Sequence, residues 1–354
     1  MSLKKIKKIL DAFVLLSILE INISFTKVAP KESKTIEVLL VNALPGSGKS
    51  EVRRYLSNLD SKQCLEEFGI GVTVQIDDFP YVHMMRRISE EEIKRGHKGS
   101  FFLSPAFSFR DAKEWGTLMH LINEDYDDLI SGKEIKPKSA VKWLFNRIDA
   151  ARVKVGRKAV LSKLPKKLCK EVMKAVKKDA EKLLKDKVEE IEKAKKLENK
   201  TVVIEFSRGG ADSAPMPLPK PYGYKYSLSQ LSPQILEKAS ILYVWVTPEE
   251  SRRKNEARVN PNDPGSILNH CVPRSVMYAE YGCDDIDWLL ETSNKPNTVC
   301  IQTQGKEYNL PLGKFDNRVD RTTFTHADKS LWKKEDVDKL HDGLKEAFKN
   351  LRSC

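Results

Sequence analysis

The chain predicts an α/β fold: a parallel five-stranded sheet sandwiched by helices, carrying a largely helical, basic insertion. Three observations support this. Five short apolar or β-branched runs recur along the 354 residues, at 36–42, 71–76, 201–205, 241–246 and 298–302, with helix-like segments between them. Such alternation builds a parallel sheet covered on both faces. The first run passes directly into a glycine-rich loop and then into Glu51-Val-Arg-Arg-Tyr-Leu56, the start of a helix. The formal net charge of +12 is local: residues 151–200 hold 18 Lys and Arg against 8 Asp and Glu, leaving only +2 for the rest.

The first run, Val38-Leu-Leu-Val41, has the continuous apolar pattern of a strand buried on both faces. The loop that follows, Ala43-Leu-Pro-Gly-Ser-Gly-Lys-Ser50, has Walker A spacing with Ala in place of the first Gly. Without a Cβ, Gly46 and Gly48 let backbone N–H groups close around phosphate oxygens. Lys49 supplies a point charge for the β- and γ-phosphates, and Ser50 a hydroxyl for Mg²⁺. The helix dipole beyond Ser50 favours the same anion. The candidate nucleotide-binding residues are Pro45, Gly46, Ser47, Gly48, Lys49, Ser50 and Glu51. A chance glycine turn is the plainer alternative, and the strand–loop–helix order argues against it.

The second run ends at Asp77-Asp78. In a parallel sheet that end faces the ligand crevice. One carboxylate there can act as base for a substrate hydroxyl, and one can hold Mg²⁺ or water; strand alternation predicts that only one faces the site. A turn cap before Pro80 is the plainer reading. His83 can contact substrate or serve structure, and Arg86 and Arg87 can pair with acids or phosphate. Glu205 closes the third run as the acid that orients a metal-bound water, beside Arg208 for a phosphoryl group and Gly209-Gly210 for close backbone approach. Its plainer reading is an edge carboxylate paired with Arg208. After the fourth run, Pro248 and Glu249-Glu250 suit a helix start. Arg252, Arg253, Lys254 and Arg258 then gather the positive charge that phosphoryl transfer needs; a solvated helix with Glu/Arg pairs is the alternative. Val259–Gly265 reads as a flexible tip. Tyr278, Tyr281, Asp284 and Asp285 either line a pocket or pack and cap a helix.

Between the second and third runs the expectations are a loop or lid at 100–110, a helix at 111–131 capped by Asp111, and one long Lys/Glu-rich helix at 165–199, the helices forming a hairpin with a partly exposed basic face. Residues 211–233, rich in Pro, read as a loop. The division is an N-terminal extension (1–35), core (36–84), insertion (85–200), core with an Arg-rich lid (201–330) and a C-terminal helix (331–354). The basic, then apolar, stretch at the N-terminus, interrupted by Asp11, reads as a packed or peripheral segment, with a targeting peptide as alternative, and is too short to span a bilayer. Six scattered cysteines without CxxC spacing predict free thiols in a reducing, cytoplasmic setting.

The Walker A loop, the Asp-Asp after the second run, the acid after the third and the arginines after the fourth together resemble the P-loop kinases of the nucleoside/nucleotide kinase-like superfamily. The resemblance covers residues 36–80, 200–210 and 240–258. It implies ATP and Mg²⁺ as ligands, with Ser50, Asp77 and Glu205 toward the metal. It implies Asp77 or Asp78 beside an acceptor hydroxyl, and Arg252, Arg253 and Arg258 in a lid over ATP. Lys49, Asp77, Asp78, Glu205, Arg208, Arg252, Arg253 and Arg258 are then the catalytic set, and Asn317 and Arg318 stand near the adenine. The insertion matches no substrate subdomain of that group. The function expected is a kinase acting on a small hydroxyl or phosphate acceptor such as a nucleoside or nucleotide. Two alternatives are a nucleotide-regulated protein that docks nucleic acid or another acidic partner through 151–200, and a P-loop ATPase in which Glu205 activates water.

Overall fold

Val38 to Val41 are 0–1 % exposed because this strand lies in the middle of the sheet with a layer packed on each face. The computed structural model describes residues 35–104, 106–258 and 271–352. The readings made for residues 1–34 and 259–265 fall outside them. In chain order come β1 (Val38–Asn42), α1 (Lys49–Ser57), β2 (Thr73–Asp77), α2 (Phe79–Lys94), α3 (Glu114–Ile130), α4 (Ala140–Lys154), α5 (Lys166–Ala175) and α6 (Lys177–Lys195). Then follow β3 (Thr201–Phe206), α7 (Gly223–Ser229), β4 (Ala239–Trp245), α8 (Pro248–Ala257), α9 (Arg274–Glu280), β5 (Thr298–Thr303), β6 (Lys306–Asp316) and α10 (Lys334–Arg352). Among the described residues no helix is long and apolar enough to cross a membrane, and the described cysteines are free.

The protein is α/β, and among the described residues a six-stranded sheet has the order β2-β3-β1-β4-β6-β5. Five strands are parallel, and β5 runs antiparallel to β6. Here the structure corrects the sequence reading. The run at 298–302 is an antiparallel edge strand, and the fifth parallel strand is β6. The cause is local: Gln304 and Gly305 have φ of 52° and 74°, the two positive values of a tight hairpin turn. The strand after it contains Pro311, Gly313 and several charges, which mask its strand character in sequence.

Side-chain alternation along the strands separates two cores. Val38, Leu40, Val202, Ile204 and Ile241 face a large core shared with α3, α4, α5 and α6. Leu39, Val41, Val203, Leu242 and Val244 face a second core under α1 and α10. The helices of 85–200 thus pack into the sheet's own core, and residues from Thr35 onward cluster as one unit. The expected single helix at 165–199 is two, α5 and α6, separated at Val176. A helix at Ala140–Lys154, capped by Ser139, was not expected. The helix read at 111–131 begins at Glu114 without a side-chain cap, and part of the Pro-rich loop forms α7. At the free edge of β2, the Glu190 carboxylate of α6 accepts the Gln75 N–H at 2.7 Å, which blunts an edge that would otherwise pair with another strand.

α10 closes the second core with Leu340, Leu344, Ala347 and Phe348, all fully buried. Phe348 meets Phe68 edge-to-face at 5.2 Å. Phe348→Ala is expected to cost about 3–5 kcal/mol, as for other buried aromatic truncations. A urea-unfolding midpoint that barely moves would show that α10 is a loose appendage.

Candidate functional site

The parallel strands end on the same side of the sheet, and register aligns the chemistry there. Asp77 is the partner of Glu205, and Asn42, at the end of β1, is the partner of Phe206 and Tyr243. The loop from Ala43 to Gly48 leaves β1 at this point and is braced from behind. The Ser251 hydroxyl of α8 donates to the Pro45 carbonyl at 2.6 Å, and the Asn317 amide donates to the Ser47 carbonyl at 2.7 Å. Tyr224, fully buried on α7, donates to the Ala43 carbonyl at 3.0 Å. Gly46 and Gly48 have φ of +73° and +102°. A Cβ on Gly46 would come within 2.8 Å of the Ser251 carbonyl, and one on Gly48 within 2.5 Å of the Thr322 hydroxyl. Both glycines are therefore required by backbone conformation and by the bracing segments.

Lys49 opens α1 and is 7 % exposed. Its ammonium donates to the Ser207 hydroxyl at 2.7 Å. Burial lowers its pKa, with Arg258 acting the same way, while Glu205, Asp77 and Asp78 oppose the shift. Of these carboxylates, Glu205 pairs with Arg53 at 3.0 Å and Asp78 with Arg208 at 2.7 Å. Asp77 accepts the Phe79 N–H at 2.8 Å. Desolvation, then the Glu205 and Asp78 charges, push its pKa well up. A cation placed between Asp77 and Glu205 would relieve that repulsion.

Among the described residues no cluster of three or more His, Cys, Asp and Glu is arranged to hold a metal by itself. Mg²⁺ needs less from a protein: one or two carboxylates, completed by water and phosphate oxygens. Ser50, Asp77 and Glu205 all line the cavity and fit that requirement.

The cavity has a volume of about 920 Å³. Pro45, Lys49, Ser50, Glu51, Asp77, Asp78, Glu205, Arg208 and Arg258 line it together. The expectation that only one of Asp77 and Asp78 faces the site is corrected, because β2 stops at Asp77 and Asp78 is already helical (φ −82°, ψ −20°), so alternation ends there. Arg208 is 2 % exposed and partners Asp78, not Glu205; its guanidinium lies 4.7 Å over the Trp115 ring. Gly209 serves a close approach to protein, not ligand: a Cβ there would meet the Cys283 carbonyl at 2.5 Å.

Arg252 and Arg253 do not reach the cavity lining. Arg252 pairs with Glu249 at 3.0 Å and stacks on Tyr278, and Arg253 pairs with Glu250 at 2.6 Å. Lys254 goes to Asp320 at 2.7 Å. Of the arginines expected in a lid, Arg258 does line the cavity, 3.7 Å from Glu51. Glu51 is also bonded to His326 at 2.7 Å, and its pKa is lowered to about 2: the His326 hydrogen bond and Arg258 overcome the opposing effect of burial. Asn317 holds the Ala43–Gly48 loop, whereas Arg318 pairs with Asp316 and lies 3.7 Å over Trp245. Asp285 receives the Tyr224 and Lys225 N–H groups, and Asp284 the Tyr243 hydroxyl at 2.6 Å, so both serve packing.

Several cavity residues carry no sequence signal. Arg53, Ser207, Phe102, Trp115, Glu280 and His326 reach the cavity from scattered segments. Beyond Asp78 the wall combines aromatic rings with His83, Arg86, Glu280 and Tyr281. Arg86 lies 4.1 Å over the Phe102 ring, and Glu280 is 4 % exposed with hydrogen bonds from Ser108 and Trp115. Comparisons of the chain with protein-family models, curated proteins and solved structures give no match.

Burial pushes Glu280 and Asp284 up to about 7. Between about pH 4 and pH 7 the folded protein then binds protons that the unfolded chain has released, so these groups make stability fall as pH rises through that window. The thermal midpoint is expected to rise when pH drops from 7.5 to 5.5. Asp284→Asn should raise the midpoint at pH 7.5 and flatten the slope. A slope identical to the parent's would contradict the assignment.

Proposed function

We propose that this chain is a P-loop kinase: an ATP- and Mg²⁺-dependent phosphotransferase acting on a small acceptor. The observation that carries the reading is the convergence on one cavity of Pro45 from a braced glycine loop, the buried Lys49 and Ser50 that follow it, two register-aligned carboxylates and a separate acid–arginine pair beside an aromatic-walled space; Gly46, Ser47 and Gly48 lie buried behind that lining. The parallel core of the sheet, with the loop at the end of its middle strand, supports the P-loop NTPase fold as the finer description.

In this reading the amides of Gly46 to Ser50 and the Lys49 ammonium bind the β- and γ-phosphates. Ser50, Asp77 and Glu205 would hold Mg²⁺, which when bound neutralises phosphate charge. Asp78 takes the proton of the acceptor hydroxyl while that oxygen bonds the γ-phosphorus and the bond to the β–γ bridging oxygen breaks, releasing ADP. Arg208 keeps Asp78 in place. Arg258 supplies positive charge near Lys49, a role for which Arg252 and Arg253 stand too far into their own ion pairs. The acceptor sits among His83, Arg86, Trp115, Glu280 and Tyr281, a wall that suits a compact molecule with a flat face, a nucleoside or nucleotide among them.

The acceptor is found by screening ATP consumption against nucleosides, nucleotides and sugars. Lys49→Ala should abolish turnover and weaken binding of an ATP analogue, and should lower the melting temperature because Asp77, Asp78 and Glu205 lose a buried counter-charge; unchanged affinity and turnover in the folded variant would overturn the nucleotide site. Asp78→Asn should lower acceptor-dependent turnover by roughly a hundredfold or more, with analogue affinity little changed. If no acceptor stimulates turnover and only Glu205→Gln abolishes a basal rate, the protein is an ATPase instead.

A further inference from the structure

The excess positive charge is sorted by partner. On α6, Lys187 bonds Asp125 and Asp128, Lys195 pairs with Glu192 and Lys185 with Glu189. The stretch from Lys163 to Lys178 differs: it holds seven lysines and one acid, Glu171, which is taken by Arg95 at 3.2 Å. Lys177 reaches Glu181 at 3.6 Å. Among the described residues Lys163, Lys166, Lys167, Lys170, Lys174 and Lys178 make no ion pair, and all six are exposed.

Their spacing gives the surface a direction. Leu168 and Val172 turn the other side of α5 into the core. On α5, Lys167, Lys170 and Lys174 recur every three or four residues, one cation per turn of about 5.4 Å, with Lys163 in the short 3₁₀ turn before Pro165 and Lys178 on α6 beyond the break at Val176. A row of unpaired ammonium groups at that interval matches a chain of regularly spaced monoanions. The geometry points to a nucleic-acid phosphodiester backbone as the partner of this stripe, bound without sequence preference. Residues 151–200 contain no aromatic side chain, so no platform for stacking bases exists there. No large apolar side chain is exposed between Lys163 and Lys178, so nothing is available to insert into a bilayer. Specificity for base edges needs contacts that lysines on a convex helix do not supply; backbone contacts alone position and attract.

Fluorescence anisotropy of the full chain with short labelled RNA and duplex DNA tests this. Binding is expected at low salt, similar for mixed and homopolymeric sequences, with log affinity falling against log salt at a slope of about −3 to −5. Replacing Lys167, Lys170, Lys174 and Lys178 by Gln should weaken binding at least about tenfold and make the slope shallower, because each lost phosphate contact removes a released counterion. Replacing four exposed lysines of another face, Lys333, Lys334, Lys339 and Lys349, should leave both unchanged. Binding of an ATP analogue should survive the stripe substitutions, which makes the result independent of the kinase reading. The proposal is overturned by absence of binding at low salt, by equal losses in the two variants, by a strong sequence preference, or by capture on anionic vesicles with none on nucleic acid.

Discussion

An ammonium group enclosed in protein is the constraint around which this site is organised. Lys49 starts a helix at the end of the central strand with its charge almost wholly removed from water. Burying an unpaired charge costs several kcal/mol even after relaxation, so the fold must bring negative charge to it. It does so by placing β3 between β1 and β2, which brings Asp77, Asp78 and Glu205 around Lys49. Arg53 and Arg208 then neutralise two of the three. Among the described residues Asp77 makes no ion pair. The charges left over, Lys49 and Asp77, are the two a metal–phosphate ligand would use.

Much of this was legible in the sequence because it is local. The loop, its glycines, the strand before it and the acids ending the second and third runs are contiguous patterns with one physical meaning each. The bracing of the loop was not legible: Ser251, Asn317 and Tyr224 lie about 180 to 270 residues away from the carbonyls they bind. The partners of the arginines were equally hidden. Arg208 next to Glu205 in sequence looks like its counter-ion, yet the strand points Glu205 toward Arg53 and the chain turns Arg208 toward Asp78. The fifth parallel strand has a weak sequence signal because a proline, a glycine and charges interrupt its apolar pattern, while its antiparallel neighbour carries the cleaner one.

The insertion shows how composition and architecture can diverge. A Lys/Glu-rich stretch reads as an appended helical hairpin, but its apolar positions belong to the principal core and α6 lies along the sheet edge through Glu190. Its charges have two fates. Those on α6 are largely consumed by neighbours, including a buried Lys187–Asp125 contact, while those of α5 and its flanks face water without partners. Net charge alone does not distinguish these; the pairing does. The site and the basic stripe are therefore separate features on one framework, and α2 connects them physically: it begins beside Asp78, carries at its middle Arg87, which pairs with Asp179, and is followed by Arg95, which pairs with Glu171.

In the proposed function the loop at the end of β1 binds the phosphates of a metal–nucleotide. Calorimetric titration of the unaltered protein with a non-hydrolysable ATP analogue, with Mg²⁺ and with chelator, in parallel with AMP and adenosine, tests it most directly. One site per chain is expected, with binding that strengthens on adding Mg²⁺ and falls away as the β- and γ-phosphates are removed. Adenosine binding as tightly as the triphosphate, or no heat from any of them, would contradict it.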